Sequence, residues 1–166
     1  MASLPDAEKL CEQLARELKA QVKASTAMVG IHTGGAWLAE RLHAALGMQE
    51  PLGLLDIAFY RDDYARQGLA KDPKRSKIPF EVEGRDLLLV DDVLHTGRTV
   101  RAALNELFDY GRPASIALVV LAERGGRQLP ICAQFTGARV EVPAGMRLRL
   151  KRDGKGRLSL ELESGA

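Results

Sequence analysis

One stretch, Leu87-Leu88-Leu89-Val90-Asp91-Asp92-Val93-Leu94-His95-Thr96-Gly97-Arg98-Thr99, constrains what this chain can fold into more than any other. Residues 86–90 form a nearly continuous apolar run, the pattern of a strand buried on both faces. Residues 98–110 read as a helix stopped by Gly111. Between the two stand a pair of acids and a Thr-Gly turn. A strand that runs through a loop into a helix puts that loop beyond the carboxyl edge of a parallel sheet, where open α/β folds bind their ligands.

The rest of the chain repeats the same alternation. Leu10, Leu14, Leu18 and Val22 recur at four-residue spacing and predict an amphipathic helix, with Ser3, Pro5 and Asp6 resembling its start. Residues 27–31 predict a short strand, His32-Thr33-Gly34-Gly35 a turn, and Trp37, Leu38, Arg41, Leu42 and Leu46 a helix closed by Gly47. Residues 52–60 are strand-like, residues 61–77 are charged and have no apolar face, and residues 115–121 give another buried strand. Leu148 and Leu150 alternate with basic residues, Asp153-Gly154-Lys155-Gly156 makes a turn, and Leu158, Leu160 and Leu162 alternate again. That is the pattern of an antiparallel hairpin. The expected architecture is a parallel α/β sheet flanked by helices, with a mobile surface loop and a C-terminal β-hairpin.

The chemistry of the central loop follows from its order. Backbone N–H groups at residues 95–99 open a helix, where unsatisfied donors and the helix dipole favour a phosphate. The hydroxyls of Thr96 and Thr99 add donors, and Gly97 permits close approach of the backbone. Asp91 and Asp92 are badly placed for phosphate but suit a vicinal diol or a Mg²⁺-bound sugar. A ribose 5-phosphate satisfies both halves. The plainer alternative, a strand end followed by a capped helix, leaves two adjacent acids at the end of a buried strand without a partner. Neither G-x-x-x-x-G-K-[ST] nor G-x-G-x-x-G occurs, which excludes a P-loop NTPase and leaves a dinucleotide fold unsupported.

This loop resembles the signature of type I phosphoribosyltransferases that binds 5-phosphoribosyl 1-diphosphate (PRPP). The segments from Asp56 to Asp63 and from Val93 to Arg101, with Gly111-Arg112-Pro113 and Glu123-Arg124-Gly125, resemble the bifunctional pyrimidine operon regulators that are also uracil phosphoribosyltransferases. The likeness runs over residues 29–139. It implies the type I phosphoribosyltransferase fold with a flexible lid after Asp63, and transfer of ribosyl phosphate from PRPP to uracil with Mg²⁺, giving UMP and diphosphate. It also implies that Asp91 and Asp92 meet the ribose hydroxyls and, through them or water, the metal. Val93, Leu94, His95, Thr96, Gly97, Arg98 and Thr99 would then hold the 5′-phosphate, and His32, Thr33, Gly34 and Gly35 the diphosphate. Arg61 and Arg124 would approach substrate, and Glu123, where an Asp is more usual, would lie near base and metal. The family usually has an arginine where Gly34 stands.

Composition sets the remaining bounds. A chain of 166 residues suits one domain over residues 1–166. With 46% hydrophobic and 28% charged residues it reads as globular, and no apolar run reaches the roughly 20 residues of a membrane span. The expected location is the cytoplasm. Cys11 and Cys132 match no metal or redox spacing and read as buried thiols. His43 reads as solvent-facing, and Trp37 as a packing or subunit contact.

A net charge of +2 does not imply nucleic-acid binding. Lys71, Lys74, Arg75 and Lys77 read as a solvated loop. Three functions stay open at this level: a uracil phosphoribosyltransferase, a UMP-sensing attenuator that binds pyrimidine-operon leader RNA with minor catalysis, and a transferase acting on a purine. A homo-oligomer is expected in each case.

Overall fold

Leucines and valines in β3 (Asp86–Leu94) alternate between two apolar layers, which is why its sequence reads as one unbroken hydrophobic run. Leu88 and Val90 face one layer, and Leu87 and Leu89 face the other. The structure is a computed structural model that describes residues 3–57 and 76–165. Around β3 lie β1 (Ala27–Ile31), β2 (Gly53–Leu55), β4 (Ser115–Glu123) and β5 (Phe135–Arg139), in the order β2-β1-β3-β4-β5 with every pairing parallel.

On one face pack α1 (Ala7–Leu18), α2 (Gly34–Leu46) and the antiparallel hairpin of β6 (Met146–Arg152) and β7 (Leu158–Ser164). On the other packs α3 (Arg98–Tyr110), through Val100, Ala102, Ala103 and Leu107. The expected parallel α/β sheet with a C-terminal hairpin is the architecture found. Leu14, Leu38 and Leu89 are wholly buried, and truncating any of them to alanine would cost about 2–5 kcal/mol. Among the described residues no helix is long and apolar enough to cross a membrane.

Several local expectations are corrected. The cap of α1 is Asp6, whose Oδ1 accepts from the N–H of Glu8 at 2.9 Å and of Lys9 at 3.3 Å; Ser3 lies further out and is exposed. Of the strand expected at residues 52–60, the described part, residues 52–57, forms Gly53–Leu55, which finds three partners on β1, with an isolated bridge from Leu54 to Lys77; residues 58–60 lie outside the described residues. β3 runs on to Leu94, so the two acids lie within the strand, with Asp91 paired to Val120. β5, a short edge strand containing Gly137, has no apolar alternation to announce it.

Cys11 is buried, which pushes its thiol up to about 11, whereas Cys132 is exposed. His43 is half-buried, its Nε2 lying 2.7 Å from the Glu50 carbonyl. Trp37 is a packing residue with the Arg152 guanidinium 4.8 Å over its ring. Residues 58–75 lie outside the described residues, and with them all of the charged segment 61–77 expected to form the lid except Ser76 and Lys77, including Arg61, Lys71, Lys74 and Arg75.

Candidate active site

Register within the sheet brings the chemistry together. Gly30 pairs with Val90 and Leu94 with Glu123, so the ends of β1, β3 and β4 deliver residues 32–35, 91–99 and 123–127 to one carboxyl edge. The His32–Thr33 peptide at the end of β1 is cis, and the N–H of His32 donates to the Leu55 carbonyl at 2.9 Å. α2 then starts at Gly34 with no side-chain cap. Its first residues lie directly on β3: a Cβ at Gly35 would come within 2.9 Å of the Asp91 Cα, and one at Gly34 would fall on the Asp92 carboxylate, 3.0 Å from its Cβ. Glycine at both positions lets the start of α2 and the two acids share this space.

α3 opens on Gly97, whose φ of 92° is left-handed, and it too has no side-chain cap. The Thr96 hydroxyl accepts from the Arg98 N–H at 3.2 Å within this turn. The carbonyl oxygens just upstream are taken up by the loop after β4. Leu94 accepts from Arg124 N–H at 3.0 Å, His95 from Arg127 Nε at 2.9 Å, and Thr96 from Gln128 and Leu129 N–H at 2.9 and 3.1 Å. Those lone pairs are therefore occupied, and the opening turn of α3 is left with uncapped donors and a positive helix end. α1, which lies away from this edge, is capped. The two helices that begin at the edge are not.

Asp91 is 5% exposed, with its Oδ1 accepting from Asp92 N–H at 2.9 Å. Asp92 is half-buried and lines a cavity of about 680 Å³ together with Val93, His95, Thr96, Thr99 and Arg124. A second cavity, of about 720 Å³, is lined by Glu123, Gly125, Gly126, Arg139 and Val140, and it shares Arg124 with the first. Arg124 is anchored by a bond from Nη1 to the Met146 carbonyl at 3.1 Å, while its buried Nε has no acceptor. Glu123 accepts from Arg127 Nη2 at 2.6 Å and from the Thr136 hydroxyl at 3.4 Å. Burial, and then the charges of Arg124 and Arg127, hold His95 below the ordinary histidine value.

The predicted residues 32–35, 91–99, 123 and 124 thus meet at one edge. Sequence reasoning missed Gly126, Arg127 and Gln128, which fix the phosphate-type turn from behind, and Arg147 and Arg149 on the cavity wall. Their signal in the sequence was only a cluster of glycine and arginine. As for a metal, no group of three His, Cys, Asp or Glu side chains comes together among the described residues. Asp91 and Asp92 supply hard oxygen donors and little else, which fits Mg²⁺ held largely by substrate oxygens and water and does not fit a protein cage.

The phosphoribosyl transferase domain model matches residues 2–143. The chain belongs to the phosphoribosyltransferase family. Within it, the chain is 47% identical over 165 residues to the bifunctional protein PyrR of Pseudomonas fluorescens, covering 97% of both. It is 49% identical to PyrR of Pseudomonas paraeruginosa, covering 96% of this chain and 95% of that one, and so sits with the pyrimidine regulatory type. Among solved structures it is similar to a hypoxanthine-guanine-xanthine phosphoribosyltransferase, at 25% identity and a TM-score of 0.60 over 82% of this chain and 74% of that one. A hypoxanthine-guanine phosphoribosyltransferase of Bacillus anthracis, at 14% identity and a TM-score of 0.65 over 87% and 85%, shares the fold.

Proposed function

We propose that this chain transfers the 5-phosphoribosyl group of PRPP to N1 of uracil, giving UMP and diphosphate in the cytoplasm. The observation that carries the reading is the meeting of Asp92, the uncapped turn of α3 and the unsatisfied Arg124 Nε on one cavity that adjoins a second. The 5′-phosphate takes the N–H groups and hydroxyls of Thr96 and Thr99. Asp91 and Asp92 accept from the ribose hydroxyls, and the uncapped start of α2 at Gly34 and Gly35 faces the diphosphate. Uracil enters the cavity beside Glu123 and Gly126, where Arg124 can donate to a base carbonyl.

The bond from C1 to diphosphate breaks through an oxocarbenium-like transition state, so the protein's task is to hold the departing charge and keep water from the ribose. Mg²⁺, when bound with the substrate, neutralises phosphate charge. Asp91 and Asp92 would hold it through ribose hydroxyls or water. No covalent nucleophile is required. Diphosphate release from PRPP, assayed in parallel with uracil, hypoxanthine, guanine and orotate, tests the reading. Turnover with uracil is expected, and turnover with a purine alone would overturn it.

The word bifunctional in the relatives' name is the ground for an alternative reading, a UMP-sensing attenuator that binds pyrimidine-operon leader RNA, to which we assign at most weak binding in this chain. Both readings take the working form as a homo-oligomer, measurable by light scattering.

A further inference from the structure

Uracil carries a hydrogen on N1, the atom that bonds to C1, and UMP does not, so the transfer has to dispose of one proton. N1–H is a weak acid, and a base held beside it speeds the loss. The new bond joins a base in one cavity to a ribose in the other, which puts N1 where the two cavities meet.

Glu123 and Glu141 line the base cavity but not the cavity of Asp92 and Thr96. Glu123 is also turned inward, with Oε1 taken by Arg127 and Oε2 by the Thr136 hydroxyl. Arg124 lines both cavities, but a guanidinium has no lone pair to offer a proton. His95 has one. It lines the cavity of Asp92 and Thr96, and Nε2 is its ring atom nearest to Gly126, which lines the base cavity. Among the described residues no hydrogen bond takes up either ring nitrogen. The backbone beneath the ring is fixed by the bond from Arg127 Nε to the His95 carbonyl.

The charged groups around the ring are Arg124 and Arg127 from the loop after β4, Arg98 at the start of α3, Asp92 on β3, and Arg147 and Arg149 on β6. Cations outnumber the single acid. Burial, and then Arg124 and Arg127, disfavour the charged ring, which keeps its lone pair available and drives an accepted proton off again.

We infer that Nε2 of His95 accepts the N1 proton of uracil during the transfer. This rests on the uracil phosphoribosyltransferase reading and names the base within it. N1 bonds to C1 with the electron pair released from its N–H bond, the proton moves to Nε2, and the pair of the broken C1–O bond leaves with diphosphate. The proton passes to water as the products depart, which restores the ring.

Single-turnover transfer on the full chain, quenched rapidly and followed from mildly acid to alkaline pH with PRPP and Mg²⁺, tests the inference. His95 is exposed, so His95→Gln keeps the fold. Its rate with uracil should be about 100-fold below that of the wild type, the usual scale for a lost general base. Fluorine makes the N1–H of 5-fluorouracil more acidic and the base less necessary, so the deficit there should shrink to about tenfold. The acid limb of the wild-type profile should lose one proton's worth of slope in the variant, any titration of PRPP itself being common to both. Ribose 5-phosphate affinity, read by calorimetry, should hold within about twofold. Added imidazole should restore part of the rate to His95→Ala. Should His95→Gln unfold, His95→Asn carries the same readings.

A full rate in the variant would mean that diphosphate or water takes the proton, and would overturn the inference. Equal deficits with uracil and 5-fluorouracil, together with parallel pH profiles, would reduce His95 to a positioning residue and overturn it as well. Wild-type protein that turns over neither pyrimidine would instead defeat the uracil phosphoribosyltransferase reading itself.

Discussion

The ring of His95 fills the space that a side chain at position 126 would need: a Cβ on Gly126 would lie 2.7 Å from the His95 Nε2 and 3.1 Å from its Cδ2. Gly126 also has φ of 105°, a conformation L residues rarely adopt. The two loops therefore fit only because one offers a ring and the other nothing. Gly126→Ala should push His95 aside, disturb the carbonyls pinned by Arg127 and Gln128, and raise KM for PRPP by about tenfold with a smaller change in stability. Steady-state kinetics with PRPP varied would show it; an unchanged KM would mean that the two loops move independently.

His95 also gives the ligand-free protein a pH dependence of known sign. Its folded value lies below the ordinary 6.5 because burial, and then Arg124 and Arg127, disfavour the charged ring. The unfolded chain thus binds the proton more readily. Stability is complete above 6.5 and is lost as pH falls through the lowered folded value. Melting curves from neutral to mildly acid pH should fall less steeply for His95→Gln than for the wild type, and modestly so, since His95 is only partly withdrawn from solvent. Parallel curves would remove the ring from this balance.

Asp91→Asn and Asp92→Asn should each cut transfer by about 100-fold or more, the usual scale for losing one preorganised electrostatic contact. Both should stay folded. Asp91 is buried but asparagine keeps its shape and its acceptor for the Asp92 N–H, and Asp92 faces the cavity. Near-normal turnover with Mg²⁺ and PRPP in both variants would mean that the edge of β3 is not the ribose site.

The sequence made the centre of the site legible because its local chemistry is dense. Residues 86–99 encode a strand, two acids and a helix start without help from elsewhere, and α3 begins and ends where its pattern places it. What it hid was contributed by contact. Gly126, Arg127 and Gln128 matter because the register of β3 on β4 sets them behind the turn at 94–96, and no local period marks that. β5 was invisible because an edge strand of mixed burial has no alternation to read. Arg147 and Arg149 looked like the solvent face of a hairpin. They are its exposed face, but that face borders a cavity.

Glu106 shows the same blindness inside α3. It is 8% exposed, its Oε1 accepts from the Ser76 hydroxyl at 2.5 Å, and its Oε2 has no partner. Burial raises its pKa, with Asp56 and Asp109 adding to the effect and Ser76 opposing it. A raised carboxyl favours the folded state most at low pH, and that advantage is lost as pH rises through the folded value. Glu106→Gln removes the charge and should raise Tm by about 2–4 °C at pH 8, as expected for about 1 kcal/mol in a domain of this size. At pH 4 the two proteins should melt together. A lower Tm for the variant at pH 8 would mean that the carboxylate is stabilising there.

Binding of leader RNA should be weak, and α1 is where this can be argued. Its apolar side, Leu10, Cys11, Leu14 and Leu18, is buried. Of the acids that α1 carries, Glu8 is bridged to Arg41 and accepts from the Leu158 N–H at 2.7 Å, which ties the helix to the hairpin. Arg41 and Leu158 hold its carboxyl below the usual range despite the opposing effect of burial. That acid is internally satisfied and drops out of the count. Lys9, Glu12, Arg16, Glu17 and Lys19 remain exposed, three cations among two acids, a face too evenly mixed to neutralise a run of phosphates. Gel-shift titration against the protein's own pyrimidine-operon leader, at near-physiological salt with and without UMP, should show weak binding that falls further as salt rises. Tight, UMP-enhanced, sequence-specific binding would mean that another surface reads the transcript and that regulation is a main function.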